Sequence, residues 1–231
     1  MTKDYGQFCG LARASSLLGE RWTLLVLRDL SVGPRRFKDL HEGLPGVPTS
    51  LLTNRLRDLE AADVVARKAS ETPGGGVFYI LTSSGEELVP ILDAIGRWGA
   101  KTMVAPEPQD VITGSSLAAA LRAGYRPGAL ASQVTYQIQT GPAVAWAVAG
   151  PEEVTIGEGT SPTDPDMTIH GDPRLRLLLG GELSATEAIA TGAVRVEGSQ
   201  RMFDDFTRAF KVPLNTPTAQ RISSNSQGIQ P

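Results

Sequence analysis

Apolar residues recur at helical spacing through the first part of the chain and alternate with polar ones further on. Phe8 to Leu18 and Trp22 to Leu30 read as two helices, the second carrying Trp22, Leu25, Val26 and Leu30 on one face, and Gly33-Pro34 ends it. A short helix follows from Arg36 to Gly43 with Phe37 and Leu40 inward, and Gly43 is expected to close it in the left-handed conformation. The next helix runs from about Thr49 to Ala62. At about 100° per residue, Leu52, Leu56 and Leu59 form one stripe, and Ser50, Thr53, Asn54 and Arg57 gather on the opposite side. Val64 to Lys68 and Val77 to Leu81 read as strands joined across Thr72-Pro73-Gly74-Gly75-Gly76, where glycines permit positive φ at a tight tip. Ser83 and Glu86 form a capping-box pattern that opens a helix through Leu88, Leu92, Ile95 and Trp98. Its apolar face is wider than a small domain needs to cover itself, which points to a partner subunit.

The second half begins with a helix from Ser115 to Ala123. Four strands follow, Val134 to Thr140, Ala143 to Ala149, Val154 to Glu158 and Met167 to His170, with Gly141-Pro142 and Gly150-Pro151 as turns. An apolar helix from Leu175 to Leu179 comes next, then a helix opened by Ser184 and Glu187 that stops at Gly192. Val194 and Val196 make a further strand, and Met202, Phe203, Phe206 and Phe210 line one face of a last helix. This order fits an antiparallel sheet with helices packed on one side, an α+β arrangement.

The 231 residues are too many for one winged helix and suit two domains of ordinary size. The boundaries expected are a first domain over 1–104, a linker over 105–113 marked by Pro106 and Pro108, a second domain over 114–212, and a polar, mobile tail over 213–231. Hydrophobic residues make up 41% and charged residues 20% of the chain, and no apolar run approaches the roughly 18 residues of a membrane span. The N-terminus lacks the apolar core of a signal peptide and Cys9 is the only cysteine, so a cytoplasmic protein without a disulfide framework is expected. The net charge of -3 argues against a nucleic-acid binder on average. The average hides a division: residues 1–105 hold 13 Lys+Arg against 12 Asp+Glu, whereas 106–231 hold 9 against 13. Any groove contact must therefore come from local clustering of Arg35, Arg36, Lys38, Arg57, Arg67 and Lys68.

A helix pair followed by a strand, a glycine-rich turn and a second strand is the order of a winged helix-turn-helix. Over Cys9–Met103, the runs Gly19-Glu20-Arg21-Trp22-Thr23-Leu24-Leu25, Gly33-Pro34-Arg35-Arg36-Phe37 and Leu52-Thr53-Asn54-Arg55-Leu56-Arg57-Asp58-Leu59-Glu60 resemble the HxlR family of bacterial winged-helix regulators. That resemblance implies a homodimer on operator DNA, with the helix over Thr49–Ala62 in the major groove and the wing at the flanking minor groove. It also implies that a cysteine at the place of Cys9 senses oxidants or electrophiles in some members. The chain departs from the family in having Pro48 then Thr49, where Ser then Pro is common, which leaves the helix start open by about a residue.

From about Ser115 to Val212, the segments Asp166-Met167-Thr168-Ile169, Gly181-Glu182-Leu183-Ser184, Glu187-Ala188 and Gly192-Ala193-Val194-Arg195-Val196-Glu197-Gly198 are similar to sterol-carrier-protein type 2 domains. This implies a sheet and helices around an apolar tunnel, which in a regulator would be an effector pocket.

The DNA-facing candidates are Arg35, Arg36, Thr49, Ser50, Thr53, Asn54, Arg57, Arg67 and Lys68. The plainer alternative for each is a solvated surface. Arg55 divides between a phosphate contact and an ion pair with an acid such as Glu60, and Asp58, Glu60 and Asp63 must face protein or solvent. Cys9 is a candidate redox sensor, set against the commoner reading of a lone cysteine on an apolar helix as inert core. Trp146, Phe203, Phe206 and Phe210 are candidates to line an apolar-ligand pocket, set against simple core. Neither His41 nor His170 has a ligand-spaced partner, so no metal is expected, and no catalytic triad, paired-carboxylate site or phosphate loop implies an enzyme or a cofactor. The expected function is a dimeric, cytoplasmic regulator of transcription that binds operator DNA and answers a small apolar effector. The alternative is an apolar-molecule carrier or accessory protein whose winged helix dimerises or docks a protein.

Overall fold

The computed structural model describes residues 5–70, 75–103, 107 and 109–214. The N-terminal part carries α1 (Gly10–Leu18), α2 (Thr23–Leu30), α3 (Phe37–Gly43) and α4 (Thr49–Ala61). The strands β1 (Val65–Ala69) and β2 (Val77–Leu81) follow, then α5 (Ser83–Glu86) and α6 (Val89–Ala100). Leu27 and Leu40 meet Leu52, Leu56 and Leu59 in a core from which solvent is excluded. The helical stripe read from the sequence is thus the buried face of α4. β1 and β2 form an antiparallel hairpin with Val65 opposite Leu81 and Ala69 opposite Val77. Of the expected tip over 72–76, Thr72, Pro73 and Gly74 lie outside the described residues.

Three local expectations need correction. Gly43 does not terminate α3 in the left-handed region; it is the last helical residue, and the left-handed glycine is Gly46 in the turn beyond. A Cβ at position 43 would stand 3.1 Å from the Asp29 carboxylate, so glycine lets α3 lie against buried Asp29. The helix expected from Ser83 breaks into α5 and α6, and its cap is Thr82, whose hydroxyl accepts from the Gly85 N–H. Pro90 explains the break: it has no N–H to give and its ring conflicts with the carbonyl four residues back, at Glu86. Trp22 belongs to the turn before α2, in the left-handed region with φ 77°. It holds this conformation with the Arg21 guanidinium 5.3 Å above its ring.

The C-terminal part opens with α7 (Gly114–Gly124), followed by β3 (Val134–Thr140), β4 (Ala143–Ala149), β5 (Val154–Glu158) and β6 (Met167–Gly171). It closes with α8 (Leu175–Gly180), α9 (Ala185–Ala190), β7 (Val194–Glu197) and α10 (Gln200–Ala209). The five strands lie in the order β5-β4-β3-β6-β7. The sheet expected to be antiparallel is mixed, because β6 runs parallel to β3. β5 already runs parallel to β3 through β4, and the chain then crosses back over the sheet to reach β3's other edge. Gln137 holds that crossing: its amide donates to the Gly159 carbonyl and its oxygen accepts from Ser161 N–H.

Ala143, Ala145, Ala147 and Ala149 all point into the core, and their small side chains let α7 settle against the sheet with Leu117, Ala118 and Leu121 buried. On the same face α10 inserts Phe203 and Phe206, and Phe210, the extended residue after it, joins them. Phe206 lies 4.9 Å from Phe210 and 5.3 Å from Tyr136 between ring centroids, tilted in both cases, a favoured arrangement for aromatic quadrupoles. Burial raises the Tyr136 phenol above its ordinary value.

The two cores touch through α7, which packs on α6 and α2. Arg122 of α7 donates to both oxygens of Asp93 on α6, to the Ser31 carbonyl at 2.8 Å and to the Ser31 hydroxyl at 2.9 Å. Arg97 of α6 donates to the Ala123 carbonyl at 3.1 Å. The linker residues Ala105, Pro106 and Pro108 and the tail from 215 onward lie outside the described residues.

Truncating Phe206→Ala removes the centre of the aromatic cluster and is expected to destabilise the chain by about 3–5 kcal/mol in urea denaturation. A loss below about 1 kcal/mol would show that the cluster is loosely packed.

Candidate nucleic-acid interface

The turn between α3 and α4 brings Pro48 to the helix start, so α4 begins at Thr49. With Leu52, Leu56 and Leu59 buried, the geometry of the helix leaves Thr49, Ser50, Thr53, Asn54 and Arg57 exposed together. Thr53 returns its proton to the Thr49 carbonyl at 2.8 Å, and its oxygen lone pairs face outward. The Thr49 hydroxyl lies 3.2 Å from His41 Nε2, which ties the start of α4 to α3. Arg57 makes no hydrogen bond or ion pair among the described residues.

The remaining basic candidates divide. Arg36 precedes α3, its N–H donates to Asp39 at 3.0 Å, and its guanidinium rests 5.0 Å above the Phe78 ring of β2. Arg67 on β1 pairs with Glu60 at 2.8 Å and covers Tyr79, yet its side chain stays exposed. Lys68 is exposed beside it. Arg55 pairs with Glu20 and Asp58, both at 3.4 Å, and only 13% of its side chain is exposed. Its ion-pair partners are therefore Glu20 and Asp58, and Glu60 goes to Arg67. Asp58 and Glu60 are in this way neutralised by neighbours, whereas Asp63, in the turn after α4, is exposed with no ion pair among the described residues.

Arg35 is placed differently from the surface position expected. Its backbone pairs with Tyr79 of the wing through two hydrogen bonds, Arg35 N–H to Tyr79 O at 3.0 Å and Tyr79 N–H to Arg35 O at 2.7 Å. Its guanidinium reaches the C-terminal part. There Nη2 donates to Glu158 Oε2 at 2.5 Å and to the Ser115 hydroxyl at 3.0 Å, and Ser115 in turn donates to Glu158. Gly114 makes room for this triad, because a Cβ there would stand 2.7 Å from the Val144 carbonyl and overlap Glu158. Beneath it, Asp29 is buried and pairs with Arg28 at 2.7 Å. Burial raises the Asp29 carboxyl above its ordinary value, with Arg28 and then Arg35 opposing the shift.

The four ligand-pocket candidates do not come together. Phe203, Phe206 and Phe210 are completely buried core, whereas Trp146 points from the opposite face of β4, in register with Gln137 and against Gly157. Cys9 sits just before α1 with its thiol exposed, so the inert-core reading does not hold for it. No group of three His, Cys, Asp or Glu side chains suited to a metal occurs among the described residues. Nor is any described helix long and apolar enough to cross a membrane.

A family model for HxlR-like helix-turn-helix proteins matches residues 17–107. An HTH-type transcriptional regulator of Synechocystis is 38% identical over 97 residues, which cover 42% of this chain and 72% of the relative. The chain belongs to the HxlR-like helix-turn-helix family. YodB of Bacillus subtilis, also an HTH-type transcriptional regulator, is 33% identical over 99 residues, covering 43% of this chain and 86% of YodB. The solved structure of reduced YodB shares 31% identity and covers 45% of this chain and 100% of that one, with a TM-score of 0.37. In this HxlR-like chain the wing and α4 lie within the matched residues, whereas Ser115 and Glu158, which capture Arg35, lie beyond them.

The interaction that sequence reasoning missed is thus the Arg35–Ser115–Glu158 triad, formed by residues 80 and 123 positions from Arg35. A double-mutant cycle on Arg35→Ala and Glu158→Ala is expected to give a coupling of about 1 kcal/mol in urea denaturation, since the pair is only partly exposed. Additive effects would mean that the guanidinium faces solvent instead.

Proposed function

We propose that this protein is a homodimeric transcriptional regulator that sets α4 in the major groove of operator DNA. Thr49, Ser50, Thr53, Asn54 and Arg57 contact the groove, while Arg36, Arg67 and Lys68 contact the flanking backbone. The observation that carries this reading is the exposed α4 face, where Arg57 stands among short hydrogen-bonding side chains with no acidic partner among the described residues. The Synechocystis and Bacillus relatives, both named HTH-type transcriptional regulators, support the same assignment. Dimerisation is supported by apolar side chains left outside the N-terminal core: Phe8 and Leu11 at α1, and Ile91, Ile95 and Trp98 on α6, with Trp98 69% exposed. Two-fold symmetry would set the two recognition helices about 34–36 Å apart on the DNA.

The C-terminal part, beyond residue 113, acts in this reading as a sensor unit of the sterol-carrier type 2 kind. Its five-stranded sheet covered by helices on one face supports that kinship. Coupling to DNA binding would run through contacts that both parts share, chiefly Arg35 and Arg122.

Titration of the purified protein against DNA from upstream of its own gene, with fragment selection from the genome as the second source, is expected to give competitor-resistant, salt-sensitive binding. Arg57→Ala should weaken that binding by about 1–3 kcal/mol and leave the melting temperature unchanged. Unaltered affinity in the variant, or an empty selection, would favour the carrier. In sedimentation, Trp98→Asp is expected to turn dimers into monomers; a dimer that survives would move the subunit contact off α6.

A further inference from the structure

Between the two cores lies a cavity of about 990 Å³, at the upper end of the size of small-molecule sites. Leu92 and Ala100 of α6, Leu117 and Ala120 of α7, and Leu175 and Leu179 of α8 give it an apolar lining drawn from both parts. Arg176 of α8 lines the same space, half-buried, and makes no hydrogen bond or ion pair among the described residues. The other charges in the wall are largely accounted for. Arg122 is neutralised by Asp93, Arg28 by Asp29 and Asp172 by Arg174, while Glu107 and Asp110 are exposed and have no cationic partner among the described residues. Arg97 is exposed and donates to a backbone carbonyl.

An apolar chamber with a half-buried guanidinium that no carboxylate answers among the described residues selects a particular chemistry. Apolar surface recovers free energy from an apolar body, and a half-desolvated guanidinium gains most from a single carboxylate, which it can grip with two parallel N–H donors. We propose that this inter-domain cavity is the effector site of the regulator and that its ligand is an amphipathic monocarboxylate, with the carboxylate on Arg176 and the apolar body between α6, α7 and α8. The assignment rests on the reading of the C-terminal part as a sensor, and it moves the site away from the aromatic core of the sheet. Because the walls belong to both parts, the ligand gains its contacts only when they stand at this separation. Its binding therefore favours the arrangement in which Arg35 is held at Glu158. Leu25 and Ile95 line the cavity and are exposed, and Ile95 belongs also to the α6 surface assigned above to dimerisation, so a second copy of the chain is the competing occupant.

The test is calorimetric titration of the full chain with dodecanoate, dodecan-1-ol and dodecyltrimethylammonium, each below its micelle concentration. One dodecanoate per chain is expected, bound more tightly than the other two. Arg176→Gln should weaken dodecanoate by about tenfold or more, the range of a lost charge-assisted hydrogen bond, and leave dodecan-1-ol unchanged. Ala120→Trp, which fills the chamber, should weaken both; Arg176→Gln keeps the test valid if the tryptophan variant does not fold. Equal affinity of the three probes, or unchanged dodecanoate binding in Arg176→Gln, would overturn the proposal. So would an Ala120→Trp variant that loses the dimer in sedimentation and still takes up dodecanoate, because the cavity would then be a subunit contact. Loss of dodecanoate binding with operator binding intact sinks this site alone, and the reverse result sinks only the regulator reading.

Discussion

Arg35 is held at both ends, and much of the arrangement depends on it. Its backbone is hydrogen-bonded to Tyr79 in the wing, its neighbour Arg36 starts α3, and its guanidinium is gripped by Glu158 and Ser115 of the sheet part. A change in the position of β5 relative to the wing must therefore break a charge-assisted hydrogen bond or drag the entry to the helix-turn-helix with it. Arg122 provides a second fixed point on the other side of α7 through Asp93 and Ser31. Two such points resist rotation between the parts in a way that one would not.

The same economy governs charge on the N-terminal part. It carries nearly as many acids as bases, which would make a poor partner for a polyanion if all were exposed alike. The folded chain sorts them. Arg55 is occupied by Glu20 and Asp58, and Arg28 lies on buried Asp29, whereas the guanidinium groups of Arg57 and Arg36 have no carboxylate partner among the described residues. Local sorting by ion pairs thus produces a positive α4 and wing edge from a nearly neutral composition.

What could be read from the sequence follows the range of the interactions involved. The α4 stripe of Leu52, Leu56 and Leu59, the β1–β2 hairpin and the Ser184–Glu187 capping box are set by residues a few positions apart, and each forms in the structure. Periodicity failed where a second local rule outweighed it, as when Pro90 divided the helix expected from Ser83. It was silent on contacts between distant segments. Nothing in the residues around Arg35 distinguishes it from Arg36, and the partner that does so is 123 residues away. Likewise, β6 alternates as any strand would, and its parallel pairing to β3 follows from the crossing that Gln137 secures.

The burial of the aromatic pocket candidates shows the same limit. Large aromatic side chains on an amphipathic helix can line a cavity or fill one, and which they do depends on what they meet. Here α10 meets the alanine face of β4 and the ring of Tyr136, and three phenylalanines fill the space those alanines leave. Close packing of that layer leaves an apolar ligand no room except by displacing side chains, at a cost of several kcal/mol. The unfilled volume lies where packing is harder to complete, between two separately formed cores joined by α7. A ligand at that place changes the balance between arrangements of the parts, whereas one buried in the sheet core would stabilise its own part and leave Arg35 and α4 unaffected.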